Sequence, residues 1–182
     1  MAKFDTHTIE TAPENSKKIL AGVTEKYTFL PNLLGNMATS PALLEAYTTM
    51  ADIFAKTDLS ETERQIILMT MNRLNGCTYC MAAHSTIAKG AGVSESVIQS
   101  LRKNTAIDDP KLEALRQFAI TMNDSRGYPS DEAVQAFLDA GYTQQTMLEV
   151  VLGISLKVMS NYTNHIADTQ LDAVFSANVW KA

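Results

Sequence analysis

The chain has 182 residues, of which 46% are hydrophobic and 19% charged, with a net charge of -5. That length suits one compact domain able to bury a core without disulfide staples. The acidic balance supplies no basic surface for phosphates, which excludes nucleic acid and anionic membranes as main partners and leaves small molecules and proteins.

No run of about eighteen apolar residues could span a bilayer, and the opening stretch Met1-Ala2-Lys3-Phe4-Asp5 has no apolar signal core. A cytoplasmic protein is therefore expected. The two cysteines, Cys77 and Cys80, lie so close that a bridge would constrain little of the unfolded chain. In a reducing compartment the pair reads better as redox chemistry or metal binding.

Apolar spacing and turn punctuation predict helices throughout and no alternating strand, so the fold class is all-α. A weak helix is expected over Glu14–Tyr27, with Pro31 limiting the segment that follows. Ser40-Pro41 reads as an N-cap with proline in the first turn, and Leu43, Leu44, Tyr47, Met50, Ile53 and Phe54 follow at helical spacing. Ser60-Glu61-Thr62-Glu63 has the form of a capping box, which starts a helix running to about Leu74. Its segment Ile66-Ile67-Leu68-Met69 is apolar on nearly every side and is expected to be central.

Asn75-Gly76 supplies a break, after which a new helix runs from Cys77 to about Lys89 and is stopped by Gly90 and Gly92. Ser94 starts a short helix carrying Val97, Ile98 and Leu101. Asp109-Pro110 opens the next, with Leu112, Leu115, Phe118 and Met122 on its buried face before the Ser125-Arg126-Gly127 turn. Ser130 to Ala140 forms another helix, ended by Gly141. From Thr143 a long apolar helix carries Met147, Leu148, Val150, Val151, Ile154, Val158 and Met159. The methionines, Met69 and Met71 among them, read as adaptable core or subunit contact.

An eighty-four-residue shift lays Gln65-Ile66-Ile67-Leu68 over Glu149-Val150-Val151-Leu152, and Cys77, Cys80 and His84 over Asn161, Asn164 and Asp168. The echo admits two repeated helical hairpins, with the redox groups in the first, although any two buried helices share apolar patterning.

On a helix Cys77, Cys80 and His84 stand at i, i+3 and i+7, one face, with His84 one turn beyond Cys80. If Asn75-Gly76 is the break, both sulfurs sit in the first turn, where free amides and the helix dipole favour thiolate over thiol. A thiolate attacking a peroxide becomes a sulfenic acid, and a second thiol can then displace hydroxide to give a disulfide. Position alone does not assign the two roles; the proximity of His84 favours Cys80 as the attacking sulfur and Cys77 as the resolving one. Two buried small residues beside an incidental histidine are the bland alternative. Zinc is a further one, but a structural site wants four ligands and no second CxxC or HxxxH exists. A c-type haem would need histidine directly after the second cysteine, where Met81 stands.

The stretch Leu59–Leu68, with Leu74-Asn75-Gly76-Cys77-Thr78-Tyr79-Cys80-Met81-Ala82-Ala83-His84, resembles the carboxymuconolactone decarboxylase superfamily in its alkylhydroperoxidase D-like, peroxidase-related branch. The likeness runs more loosely from Phe29-Leu30-Pro31-Asn32 to Leu171-Asp172, so one domain over residues 1–182 with its core at 29–172 is expected. It implies a helical bundle, a homo-oligomer built as a trimer or hexamer, and peroxide reduction with no bound cofactor or metal. A protein or small-molecule thiol would reopen the disulfide.

Carried over by position, the resemblance makes Cys80 the peroxide-attacking thiol, Cys77 the resolving thiol and His84 part of a proton relay. Two positions depart from the family pattern: Gln65 stands where a glutamate is usual, and Tyr79 where a histidine lies between the cysteines. Glutamine holds a hydrogen bond but takes up no proton, so the relay is expected to be shortened or rerouted. Glu63 reads as a solvent-facing cap; Glu149 could substitute if its helix packs nearby. Tyr79 reads as a packing or hydrogen-bonding residue, and His7 and His165 as surface or satisfied core. Besides a thiol-dependent peroxidase or disulfide reductase, the sequence leaves open a non-enzymatic redox sensor or oligomeric scaffold, and a decarboxylase of the carboxymuconolactone type.

Overall fold

The computed structural model describes residues 4–181. Residues 1–3, which begin the N-terminal stretch read above, and residue 182 lie outside the described residues. Among the described residues nine α-helices follow in order: α1 (Glu14–Tyr27), α2 (Asn32–Met37), α3 (Pro41–Phe54), α4 (Glu61–Leu74), α5 (Thr78–Gly90), α6 (Glu95–Lys103), α7 (Pro110–Asp124), α8 (Asp131–Asp139) and α9 (Gln144–Ala167). A 3-10 helix, Ala173–Asn178, closes the described chain. The all-α expectation holds, with no strand among the described residues. None of these helices is long and apolar enough to cross a membrane.

The predicted starts are real caps. Ser40, Ser60, Ser94, Asp109, Ser130 and Thr143 each accept a backbone N–H from the first turn of their helix. Such caps contribute about 1 kcal/mol each. At Ser60 the box is reciprocal, because Glu63 also accepts the Ser60 N–H at 2.8 Å. That bond and the Ser60 hydroxyl outweigh the upward push of burial and hold the Glu63 carboxyl below the usual range.

α4 is the central helix: eight consecutive residues, Gln65 to Asn72, are buried, and α5, α6, α7 and α9 pack around it. Close approach of α9 needs Gly153, where a Cβ would stand 2.7 Å from Ile67 Cγ2 and 3.0 Å from Phe54 Cζ. On the far side of the bundle Phe137 stacks between Phe118 and Tyr142, at centroid distances of 4.1 and 4.6 Å. The C-terminal segment is tied back by Arg102, which donates to Ser85 Oγ and to the carbonyls of Asn178 and Val179.

Some expectations change in three dimensions. Pro31 does not simply limit the chain but caps the short helix α2. Ile53, one of the apolar residues read at helical spacing, is exposed, as are Leu148, Val151, Val158, Tyr162 and Ile166 along one side of α9. The eighty-four-residue echo pairs α4, its turn and α5 with the single unbroken helix α9, so it does not extend to a second hairpin. The residues that the echo lays over Cys77 and Cys80 instead meet those cysteines across the core.

Candidate active site

The placement of the sulfurs begins at the end of α4. Gly76 takes a left-handed backbone, φ 63°, which a residue without a Cβ adopts readily. Its N–H donates to the Arg73 carbonyl at 3.2 Å, and the Cys77 N–H donates to the Asn72 carbonyl at 2.9 Å. This double closure fixes the entry to α5. Cys77 becomes the N-cap of α5 and Cys80 lies in its first turn, where unpaired amides favour an anion. Both cysteines are free and buried.

α9 crosses directly over them. Asn164 Nδ2 donates to Cys80 Sγ at 3.1 Å and reaches Cys77 Sγ at 3.8 Å. Asn161 is held in place from α4: its Nδ2 donates to Asn72 Oδ1 at 3.0 Å, and its Oδ1 accepts from Asn75 Nδ2 at 2.9 Å. Asn72 in turn donates to the Cys80 carbonyl at 3.2 Å. Burial alone would push the Cys80 thiol up. A hydrogen bond from Cys77, the positive charge of Lys157 and the Asn161 and Asn164 amides outweigh it and hold Cys80 below the usual thiol range. The same hydrogen bond to Cys80, with burial and the nearby sulfur charge, pushes Cys77 far up. The arrangement is asymmetric: Cys80 takes the shorter Asn164 bond and is favoured toward the thiolate, while Cys77 is disfavoured as one.

His84 belongs to a chain whose polarity can be read from its far end. Gln65 Nε2 donates to the Glu61 carboxylate at 2.7 Å, which leaves Gln65 Oε1 facing His84 Nδ1 at 2.9 Å. An amide oxygen only accepts, so Nδ1 carries the hydrogen. Nε2 is then an acceptor, and it takes a hydrogen bond from Lys157 Nζ at 3.1 Å. Burial and the Lys157 charge hold the imidazole well below its ordinary range, so it is neutral. With both ring nitrogens engaged, His84 is no ready metal ligand, and among the described residues no group of three or more His, Cys, Asp or Glu side chains converges.

Beside these groups lies a cavity of about 270 Å³, walled by Tyr27, Phe29, Leu33, Tyr47, Phe175 and Ile87 with Cys80, His84 and Lys157. Cys80 reaches its wall; Cys77 is not among the lining residues. Tyr79 lines it with its ring, packed edge-on against Phe175. Its hydroxyl is committed elsewhere, donating to Asp172 at 2.5 Å and accepting from the Leu33 N–H at 3.4 Å. Burial and the Asp172 bond push the phenol far up.

Two residues weighed from sequence are not in the site. Glu63 is occupied at the Ser60 cap, and Glu149 lies at the loop before α4, accepting from the Asp58 N–H at 3.4 Å and from Gln145 at 3.0 Å. Glu149 fails as a substitute because it stands two turns before Lys157 along α9, at the loop ahead of α4 rather than beside His84. His165 is exposed beside Tyr162, and His7 sits in the N-terminal segment near Thr11. The residues that sequence reasoning missed are Lys157, Asn161 and Asn164. A lone lysine in the apolar run Val150–Met159 was the available signal.

Residues 41–121 match the carboxymuconolactone decarboxylase family. Among solved structures, a peroxidase-related protein from Ralstonia eutropha JMP134, an alkylhydroperoxidase AhpD core, superposes with a TM-score of 0.84 at 19% identity, over 95% of this chain and 93% of its own. A peroxidase-related protein from Silicibacter sp. TM1040 gives 0.77 at 19% identity, over 90% and 87%. A cysteine-to-alanine variant of the debrominase Bmp8, in complex with 2,3,4-tribromopyrrole, gives 0.75 at 21% identity, over 91% and 89%. No curated protein matches the sequence. At these identities the structural likeness establishes an alkylhydroperoxidase D-like fold. The family match ends at residue 121, before Lys157, Asn161 and Asn164.

Proposed function

The chain is of carboxymuconolactone decarboxylase type over residues 41–121 and alkylhydroperoxidase D-like in fold, and from that premise we propose that it is a thiol-dependent peroxidase working through Cys80 and Cys77. The observation that carries the reading is the geometric asymmetry of the pair: Cys80 lines the cavity and takes the shorter amide bond from Asn164, at 3.1 Å against 3.8 Å, while Cys77 lies behind it, off the cavity wall. The Cys80 sulfur attacks the terminal oxygen of a hydroperoxide. The O–O bond breaks, an alkoxide departs and takes a proton, and a sulfenic acid remains on Cys80. Cys77 then loses its proton and attacks the Cys80 sulfur; hydroxide leaves as water and a disulfide forms. An external protein or small-molecule thiol, of the kind the cytoplasm keeps reduced, restores both thiols.

The test is a thiol titration before and after one equivalent of hydroperoxide, in wild type, Cys77→Ser and Cys80→Ser. Expected are rapid loss of two thiols in wild type, a trappable sulfenic acid in Cys77→Ser, and none in Cys80→Ser. Thiols that ignore peroxide would refute the reading. Repeated turnover with added thiol, well above the rate of free cysteine, separates an enzyme from a redox sensor or scaffold. A carboxymuconolactone assay disposes of the decarboxylase alternative.

The aromatic wall of the cavity favours a second reading, reductive dehalogenation, because the debrominase Bmp8 shares this fold and its variant binds a brominated pyrrole. There the two thiols would be oxidised to a disulfide while a carbon–bromine bond becomes a carbon–hydrogen bond and bromide leaves. Thiol-dependent bromide release from tribromopyrrole, without peroxide turnover, would favour that reading over the first.

A further inference from the structure

We propose that Lys157 supplies both the charge that holds Cys80 as a thiolate and the proton taken by the departing alkoxide, making α9 a catalytic face that the cysteine motif does not contain. The inference rests on the peroxidase reading above and deepens it.

Lys157 is 1% exposed, and among the described residues no carboxylate forms an ion pair with it. A buried ammonium without an anion is costly, and burial of a charge is tolerated where a partner neutralises it. The anion at hand is the Cys80 sulfur, which shares the cavity wall with Lys157. The lysine also stands in register with the amides: Lys157, Asn161 and Asn164 are at i, i+4 and i+7, one face of α9, all buried against α4 and α5.

The need for such a donor follows from the hydrogen-bond polarity of the relay. The one N–H of His84 is committed to Gln65 Oε1, and its other nitrogen accepts from Lys157. Gln65 has no acidic proton to pass on. The ammonium has three hydrogens, of which one goes to His84, so it is the group on the cavity wall with a proton to give. The titratable groups facing the cavity are Tyr27 from α1, Tyr47 from α3, Tyr79, Cys80 and His84 from α5, and Lys157 from α9. Behind them stand Cys77, Asp172 at the Tyr79 hydroxyl, and Glu61 at Gln65. The phenols of Tyr47 and Tyr79 are pushed up, by burial first, which makes them poorer proton donors than ordinary phenols.

The step balances. Cys80 thiolate, Cys77 thiol and Lys157 ammonium meet the hydroperoxide; the sulfur gains oxygen, and the alkoxide leaves as alcohol with a Lys157 proton. The neutral amine then takes the Cys77 proton as that sulfur attacks the sulfenic acid, and returns it to the departing hydroxide as water. The disulfide and the amine remain until an external dithiol reduces the bridge and restores the proton.

Two reagents separate the roles, because alkylation by iodoacetamide needs only a thiolate, whereas peroxide cleavage needs a thiolate and a proton. Rates of Cys80 alkylation and of sulfenic acid formation with cumene hydroperoxide are measured against pH in Cys77→Ser, alone and combined with Lys157→Met or Lys157→Arg. Circular dichroism melts confirm folding. With Lys157→Met the alkylation midpoint is expected to move to higher pH, with a fall of at least tenfold in rate at pH 7. At high pH alkylation recovers and the peroxide reaction stays at least tenfold slow. Lys157→Arg keeps the low alkylation midpoint, which serves should Lys157→Met not fold. An unchanged midpoint in Lys157→Met overturns the charge role, and full recovery of both reactions at high pH overturns the proton role. If the parent protein alkylates normally but ignores the hydroperoxide, the peroxidase reading fails while the charge role still stands or falls on the midpoint.

Discussion

Replacing Gln65 by glutamate, the residue usual in the resembled family, tests whether this site is built around an amide. Gln65 is 4% exposed; its oxygen accepts from His84 at 2.9 Å and its nitrogen donates to Glu61 at 2.7 Å. In Gln65→Glu the first contact gains, since a carboxylate accepts the imidazole N–H about 1 kcal/mol more strongly than an amide does. The second is inverted, because two carboxylates then face each other. Relaxed to about 4 Å, like charges repel by about 4 kcal/mol at an effective dielectric of 20, and about 1 kcal/mol in water. The Glu61 side chain is 38% exposed and shared with Arg64 at 2.8 Å, so screening leaves about 2 kcal/mol.

Losing the neutral hydrogen bond adds about 1 kcal/mol, and the net cost of Gln65→Glu is about 2 kcal/mol when both groups are ionised. The pair relieves this by sharing a proton, which raises its folded titration above the unfolded glutamate value of about 4.3. The penalty is thus absent below that value and grows as pH rises through the folded titration. Urea melts at pH 4.5 and pH 8 read it out: a loss of about 2 kcal/mol at pH 8, less than half of that at pH 4.5, and recovery at pH 8 in Gln65→Glu with Glu61→Gln. A pH-independent loss, or a double variant no more stable than the single, would refute the amide-specific design.

Other expectations follow from single contacts. Asn164→Leu removes the donor to both sulfurs; a charge-assisted hydrogen bond is worth about 1.5 kcal/mol, so Cys80 alkylation at pH 7 should slow by about tenfold, read by iodoacetamide kinetics. Gly153→Val drives a side chain into Ile67 and Phe54 and should cost about 1–3 kcal/mol in urea melts. For the homo-oligomer that the resemblance implies, we propose the apolar side of α9 as the contact, where Leu148 is 72% and Tyr162 56% exposed. If the wild type sediments as an oligomer, Leu148→Glu with Tyr162→Glu should lower the mass in analytical ultracentrifugation; a monomeric wild type, or an unchanged oligomer mass in the variant, would refute this contact.

The sequence by itself determined the local elements, because their signals are local. Ser60 with Glu63, Asp109 with Pro110, and Gly76 ahead of Cys77 each state where a helix starts or stops through atoms within a few residues. The cysteine spacing likewise placed two sulfurs at one helix start, Cys77 as its N-cap and Cys80 in its first turn, and the all-α class followed from apolar spacing and turn punctuation. What only the tertiary structure decided is what faces those sulfurs. Lys157, Asn161 and Asn164 lie more than seventy residues from the motif, and their meeting with it depends on α9 closing over α4 at Gly153. The apolar pattern of α9 pointed to burial but did not say which stripe is covered, so Leu148 is exposed and Lys157 buried. A helix reports its own periodicity in sequence, whereas the face it turns inward is chosen by the helices it packs against.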